Sequence, residues 1–297
     1  MANKSKDQSF GSEWRGSLAG TVMMFDPGST TLKAENEWWE PKDNAMIGTK
    51  RPYNTGRQVV KTDTKGNLGI FPSYAHGNTI LQQIFDETTG TFTPMDSPED
   101  MDVGDVVIYK KVATYTYADC WCNQLTISGG ENEPLLWVLD LLGQSEAESG
   151  SVAALTPPDC MLFSDLTCSL NSNTYFPTRV EFRFSYAFEE RFHASATRSS
   201  VMSQFDVCEV DLTFDINAHT KADLADLAGT DTDMEDVVLT FTDGTSTIAI
   251  TIEETTNMNP HEIPDPGGTG PVQDTIQLKA WLESGKTDIV SITYAAS

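Results

Sequence analysis

Apolar and polar residues alternate along much of this chain, and a period of two restricts it to strands with one face on a core. In residues 208–216 (CEVDLTFDI), Cys208, Val210, Leu212, Phe214 and Ile216 share one face, with Glu209, Asp211, Thr213 and Asp215 on the other. Residues 179–186 (RVEFRFSY) behave in the same way, directing Val180, Phe182, Phe184 and Tyr186 inward. Residues 237–252 hold two such runs around Asp243 and Gly244. An aspartate-glycine step supplies the positive φ angles of a tight turn, so a hairpin is predicted there. The pattern also pairs 121–128 with 135–143, and 274–282 with 288–294.

Self-similarity is the second constraint. Residues 71–84 (FPSYAHGNTILQQI) and 214–227 (FDINAHTKADLADL) match at Phe71 and Phe214, His76 and His219, Leu81 and Leu224, at one spacing of 143 positions. A spacing close to half the chain argues for a duplicated domain. Each copy reads as a strand running into a short helix. In the first, Ile80, Leu81, Ile84 and Phe85 form an apolar face over residues 79–85, behind Asn78 as N-cap. In the second, Thr220 and Asp223 resemble a capping box, Leu224 and Leu227 form the stripe, and Gly229 is the stop. Polar residues 144–151 suit a linker, which divides the chain into an N-terminal arm (1–15), a first β domain (16–150) and a second (151–297). Residues 41–61 and the Pro-rich 255–271 read as long loops, which on a β scaffold carry contacts.

Charge excludes one class of partner. The 297 residues carry a net charge of −25, and a chain this acidic cannot grip nucleic acid by neutralising phosphates. The first nine residues lack the apolar segment of an export signal, and the apolar run 134–143 is too short to span a bilayer and contains Asp140. No membrane insertion is expected. Five cysteines, an odd number, favour buried thiols over a disulfide framework.

Searches for chemistry end in structural readings. Cys120 and Cys122 fall on one strand face, which favours core packing over half of a zinc site. The acidic stretches at 96–105 and 231–236 lack the glycine and glutamate that a calcium loop needs at its sixth and twelfth positions. His76 and His219 stand at matching places before the two helices, which suits a hydrogen-bonding role, and no nucleophile elbow, phosphate loop or dinucleotide fingerprint occurs. Trp38 and Trp39 suit packing better than sugar stacking. No catalytic residue, cofactor or metal is expected.

The order of motifs resembles the tail tube (major tail) proteins of long-tailed bacteriophages. The likeness runs through 65–76 (KGNLGIFPSYAH) and its helix, 119–129 (DCWCNQLTISG), 141–143 (LLG), 163–166 (FSDL), 180–186 and 208–216. It implies a mainly β fold of tandem antiparallel sandwich or half-barrel domains, each with a short flanking helix. It implies a structural virion protein, made in the host cytoplasm, whose subunits close into rings with a continuous inner barrel and stack into a conduit for double-stranded DNA. Sixfold character is expected, from a trimer of duplicated chains or from a hexamer, together with contacts to other tail proteins. A negatively charged wall would let DNA pass without sticking, which makes Glu209, Asp211 and Asp215 candidate lumen-facing residues. The competing readings are a carbohydrate-binding or adhesive β-sandwich, with aromatics exposed on one face, and a hydrolase with a carboxylate pair in a cleft.

Overall fold

The computed structural model describes residues 15–39, 58–96, 104–110, 113–131, 133–148, 151–152, 159–170, 173–186, 208–218, 233–234, 236–257, 272–282 and 285–295. Among these the chain is mainly β, with two antiparallel sheets, one of 13 strands and one of 7, in a sandwich-like arrangement. The first half builds an outer layer in the order β2 (Thr21–Met24), β1 (Arg15–Leu18), β7 (Gly104–Lys110), β8 (Ala113–Gly130) and β10 (Ser145–Glu148). From Trp121 onward β8 leaves that layer and pairs with β9 (Leu136–Gly143), which pairs with β4 (Gln58–Ile70) and then β3 (Lys33–Trp39).

The second half repeats these pairings. Its outer layer runs β12 (Asn173–Tyr175), β11 (Leu166–Leu170), β16 (Val237–Thr242), β17 (Thr247–Ile252), β20 (Val290–Ala295). Its other layer runs β13 (Arg179–Ser185), β14 (Glu209–Ala218), β19 (Val272–Ala280), β18 (Thr255–Asn257), with β15 (Asp233–Met234) beside β18. Strands β17 and β18 together do what β8 does alone, passing from one layer to the other. The two halves meet where β13 pairs with β8 over Gln124 to Gly130, so that β3, β4, β9, β8, β13, β14, β19 and β18 form one continuous layer.

The core lies between the layers. Trp137, Leu139, Leu125, Phe182, Phe184, Leu212 and Phe214 are fully or almost fully buried, each contributing about 1.5–3 kcal/mol of transfer free energy. Burial also corrects the register of the repeat. In β4 the core-facing residues are Leu68 and Ile70, whereas a spacing of 143 would align them with Asp211 and Thr213 on the outward face of β14. One further position aligns Leu68 with Leu212 and Ile70 with Phe214, and so keeps core on core. A one-residue slip in a strand exchanges its faces.

The helix α1 (Tyr74–Gln82) starts five residues before the predicted 79–85, and Ser73 takes the N-cap position. Its interior Gly77 explains the early start. A Cβ there would lie 2.9 Å from Ile248 Cδ1 and 3.2 Å from a Tyr294 ring carbon, so glycine lets the helix settle against β17 and β20. The Tyr294 hydroxyl donates to the Tyr74 carbonyl at 2.6 Å. A first-half helix therefore packs on the second half's outer sheet. The hairpin β5 (Asp86–Thr88) and β6 (Thr91–Thr93) extends the same crossing, with β6 pairing β20 through Phe92 opposite Ile292.

Further expectations change. Residues 144–151, read as a linker, contain β10, which pairs with β8. Residues 274–282 and 288–294 form strands, yet in different layers, because β19 joins β14 and β20 joins β17. Cys120, Trp121 and Cys122 are all buried, not alternating, because Asp119 takes a positive φ of 48° and β8 crosses between layers there. The hairpin at Asp243 is present with a four-residue loop; Asp243 Oδ1 accepts the amides of Thr245 and Ser246, both at 2.7 Å, and Gly244 takes φ 86°. Of the loops read at 41–61 and 255–271, residues 58–61 instead open β4, paired with β3, and residues 255–257 form β18, paired with β19; the rest of both, and the helix read at 220–229, lie outside the described residues.

Tyr186 ties the crossing segment down. At the end of β13 and fully buried, it donates to the Ile84 carbonyl and accepts the Met95 amide at 3.0 Å. Tyr186→Phe leaves two buried backbone groups without that partner and should cost about 1–3 kcal/mol, read as a lower urea midpoint with an unchanged slope.

Candidate assembly surface

The outward face of the continuous layer carries the three predicted acidic residues. Glu209 is exposed, and Asp211 and Asp215 are half-buried, on the side of β14 opposite its core face. They are not alone. In register, Arg183 stands opposite Asp211, Arg179 opposite Asp215, and Lys279 opposite Asp211 from the other side. Lys279 Nζ donates to Glu209 Oε1 at 3.2 Å, and Thr275 Oγ1 donates to Asp215 Oδ1 at 2.6 Å. With Glu181 between the two arginines, this face of three strands holds three cations against four carboxylates, and its charge is largely compensated in place. Exposed pairs of this kind hold register more than they stabilise, at about 0–1 kcal/mol each. Arg179 and Arg183 are not among the candidates named from sequence, yet the alternation that buries Val180, Phe182 and Phe184 requires both to face out.

A cleft of about 850 Å³ opens at one end of this layer, where the β8–β9 turn meets the starts of β13 and the end of β14. Asp26, Glu131, Glu133, Arg179 and Asp215 are among its lining residues. Asp26 serves its own loop, with Oδ2 accepting the Ser29 amide at 2.8 Å and the Ser29 hydroxyl at 2.6 Å. Asp215 is held by Thr275. Those two carboxylates are thus committed to scaffold contacts.

Large exposed apolar side chains among the described residues are Leu162, Phe176, Trp281 and Leu282. Phe176 lies just before the Arg179–Asp215 end of the sheet, and Trp281 just beyond the Lys279–Asp211 end. Aromatics at opposite ends cannot form the single platform that a sugar ring needs.

Several other titratable groups are packed. Burial pushes the Cys122 thiol far up, Cys168 up to about 12 and Cys208 up to about 11. Burial lowers His76, whose amide is bonded to the Ser73 carbonyl inside α1. His219 lies outside the described residues. No group of three or more His, Cys, Asp or Glu among the described residues is placed to hold a metal ion, and no described helix is long and apolar enough to cross a membrane.

A long layer built by both halves, a largely self-compensated polar face and three thiols held in the core make the framework of an assembling subunit. The family model for phage tail tube proteins matches residues 43–293. The chain belongs to the phage tail tube family. That makes it a structural tail component of the virion, assembling with itself and with other tail proteins. No match was found among curated proteins.

Thiols with raised pKa values are poor nucleophiles, because the thiolate is the reactive form. At pH 8 the native tail tube protein should leave Cys122 and Cys168 unmodified by a disulfide reagent until denaturant is added. Labelling of Cys208 should speed up as pH rises towards 11, followed by peptide mass spectrometry.

Proposed function

We propose that this tail tube protein closes into rings through its continuous layer, and that the rings stack into the conduit through which double-stranded DNA leaves the virion. The observation that carries this reading is the internal joint between β8 and β13. If the halves, 16–150 and 151–297, are equivalent domains, the edge that β13 offers to β8 has a counterpart in β3, and the edge of β8 has one in β18. Among the described residues β3 pairs only with β4. One copy's β18 edge would meet the next copy's β3 edge, repeating the internal joint between subunits. A head-to-tail contact of this kind closes when its rotation divides the circle, and two domains per chain make a trimer pseudo-sixfold. A hexamer, with one lumen-lining domain from each chain, is the second arrangement.

In a ring closed this way, the face bearing Glu209, Asp211 and Asp215 lines the lumen. Its interleaved arginines and Lys279 would keep the wall near neutral locally, while the chain's charge of −25 keeps the whole tube repulsive to phosphate. Residues 1–15 would form an arm bridging adjacent rings, and the host cytoplasm is the place of synthesis. No chemistry is assigned, in keeping with a structural role.

The Ala34 amide turns away from β4 towards Glu146 Oε2, at 3.1 Å, so by alternation the Asn36 amide also points to the open edge. Asn36→Pro removes that donor from the joint and leaves the β3–β4 ladder intact. Size-exclusion chromatography with negative-stain microscopy should show rings or tubes of uniform width for the parent protein and at least ~tenfold fewer for Asn36→Pro. A parent protein that stays monomeric at every concentration would remove the reading. Deleting residues 1–12 should leave rings and folding intact while reducing tube length; unchanged tubes count against the arm.

A further inference from the structure

The two outer layers are unequal. In the second half, β12, β11, β16, β17 and β20 are extended by two more strands, β6 and β5, which the first half donates across the joint. In the first half, β2, β1, β7, β8 and β10 are extended by none among the described residues, and β10 pairs only with β8. All four residues of β10 are exposed.

The donor has a counterpart in the second half. Strand β6 lies between α1 and β7; β15 lies between the segment whose sequence predicts a helix at 220–229 and β16, the strand equivalent to β7. Phe92 is the lone apolar residue between Phe85 and Pro94, and Met234 is the lone apolar residue between Gly229 and Val237. Within this chain β15 does not lie on an outer layer; it covers two residues of the β18 edge, with Met234 opposite Thr255 and Asp233 opposite Thr256. That is the edge through which the ring would close.

We infer that β15 is a donated strand: on ring closure it leaves β18 and adds to the free edge of β10 in a second copy of this chain, as β6 adds to β20 within one chain. This rests on the tube reading above. One movement then does two things. It opens the β18 edge to the neighbour's β3, and it fastens the neighbour's outer layer. Following the strand pairings from half to half sets Glu148 at the place of Ile292, so that Met234 of one copy comes opposite Glu148 of the next, as Phe92 comes opposite Ile292. The two-residue bridge to β18 is a weak latch, because so short a pairing is easily exchanged.

Charge sets the conditions. Glu148 on the acceptor and the acidic run 231–236 on the donor repel each other across a strand pair. Exposed charges are screened within about 8 Å at physiological salt, so the exchange is favoured by ionic strength, and the free subunit stays protected at low salt.

Cysteine pairs read the two positions of β15 directly. With Met234→Cys and Glu148→Cys together, oxidation of assembled tubes should give covalent oligomers on a denaturing gel, at least ~tenfold above either single variant, and peptide mapping should separate this bond from any formed by the five native cysteines. With Met234→Cys and Thr255→Cys together, an intrachain bond should form in the monomer, and locking it before assembly should block tubes until it is reduced. Tubes that form with the 234–255 bond locked, or that show no 148–234 bond, overturn the inference while leaving the tube reading standing. Met234→Pro gives a check independent of thiols: it should yield a monomer with parental thermal stability that fails to assemble, and normal tubes from it also overturn the inference. A parent protein that forms neither rings nor tubes overturns the tube reading, and this contact falls with it.

Discussion

The antiparallel ladder between β8 and β13 is the interaction on which the rest of the architecture hangs. Seven consecutive residue pairs, from Gln124 with Ser185 to Gly130 with Arg179, weld two repeats of one strand pattern into a single layer. With that ladder, every strand of the layer from β3 to β18 shares one outward face and one core. Backbone ladders are well suited to this, since they are indifferent to side-chain identity and can recur between halves that have diverged in sequence.

Strand β8 makes the joint possible by serving both layers. Its turn from the outer to the continuous layer falls at Asp119 to Cys122, where a positive φ and shifted registers put three successive side chains in the core. Helix α1 and the β5–β6 hairpin then cross the joint, and Tyr186 from the far side of it hydrogen-bonds the segment that carries them. The halves are interlocked as well as paired. An interlock within a chain costs less entropy than the same contact between chains, because the partner is already tethered.

The outward face was only half legible. Alternation in 208–216 put Glu209, Asp211 and Asp215 on the side away from the core, and their strand does present them there. What the pattern of one strand could not show was which strands would flank it. Arg179, Arg183 and Lys279 come from β13 and β19, segments separated from β14 in sequence, and only strand order sets them beside the carboxylates. An acidic stripe in one dimension becomes a mixed ladder in two.

Local sequence determined the strands, their faces and the burial of Cys120, Cys122 and Cys168, because period-two burial is a property of a few consecutive residues; Cys160 and Cys208 are only partly covered. Local sequence also carried the family likeness and the likeness of 71–84 to 214–227, though the spacing of 143 does not set core on core in β4 and β14, since letters can match while side-chain faces are exchanged. The tertiary structure alone decided that β19 and β20 part into different layers, that residues after 144 form a strand and not a tether, and that the helix begins at Tyr74. Each of those depends on a neighbour distant in the chain: β14 and β17 for the two parted strands, β8 for β10, and the close approach of Ile248 and Tyr294 to a glycine for the helix. Hydrogen bonding between strands is non-local, so a sequence can specify every strand and still leave open which edges meet.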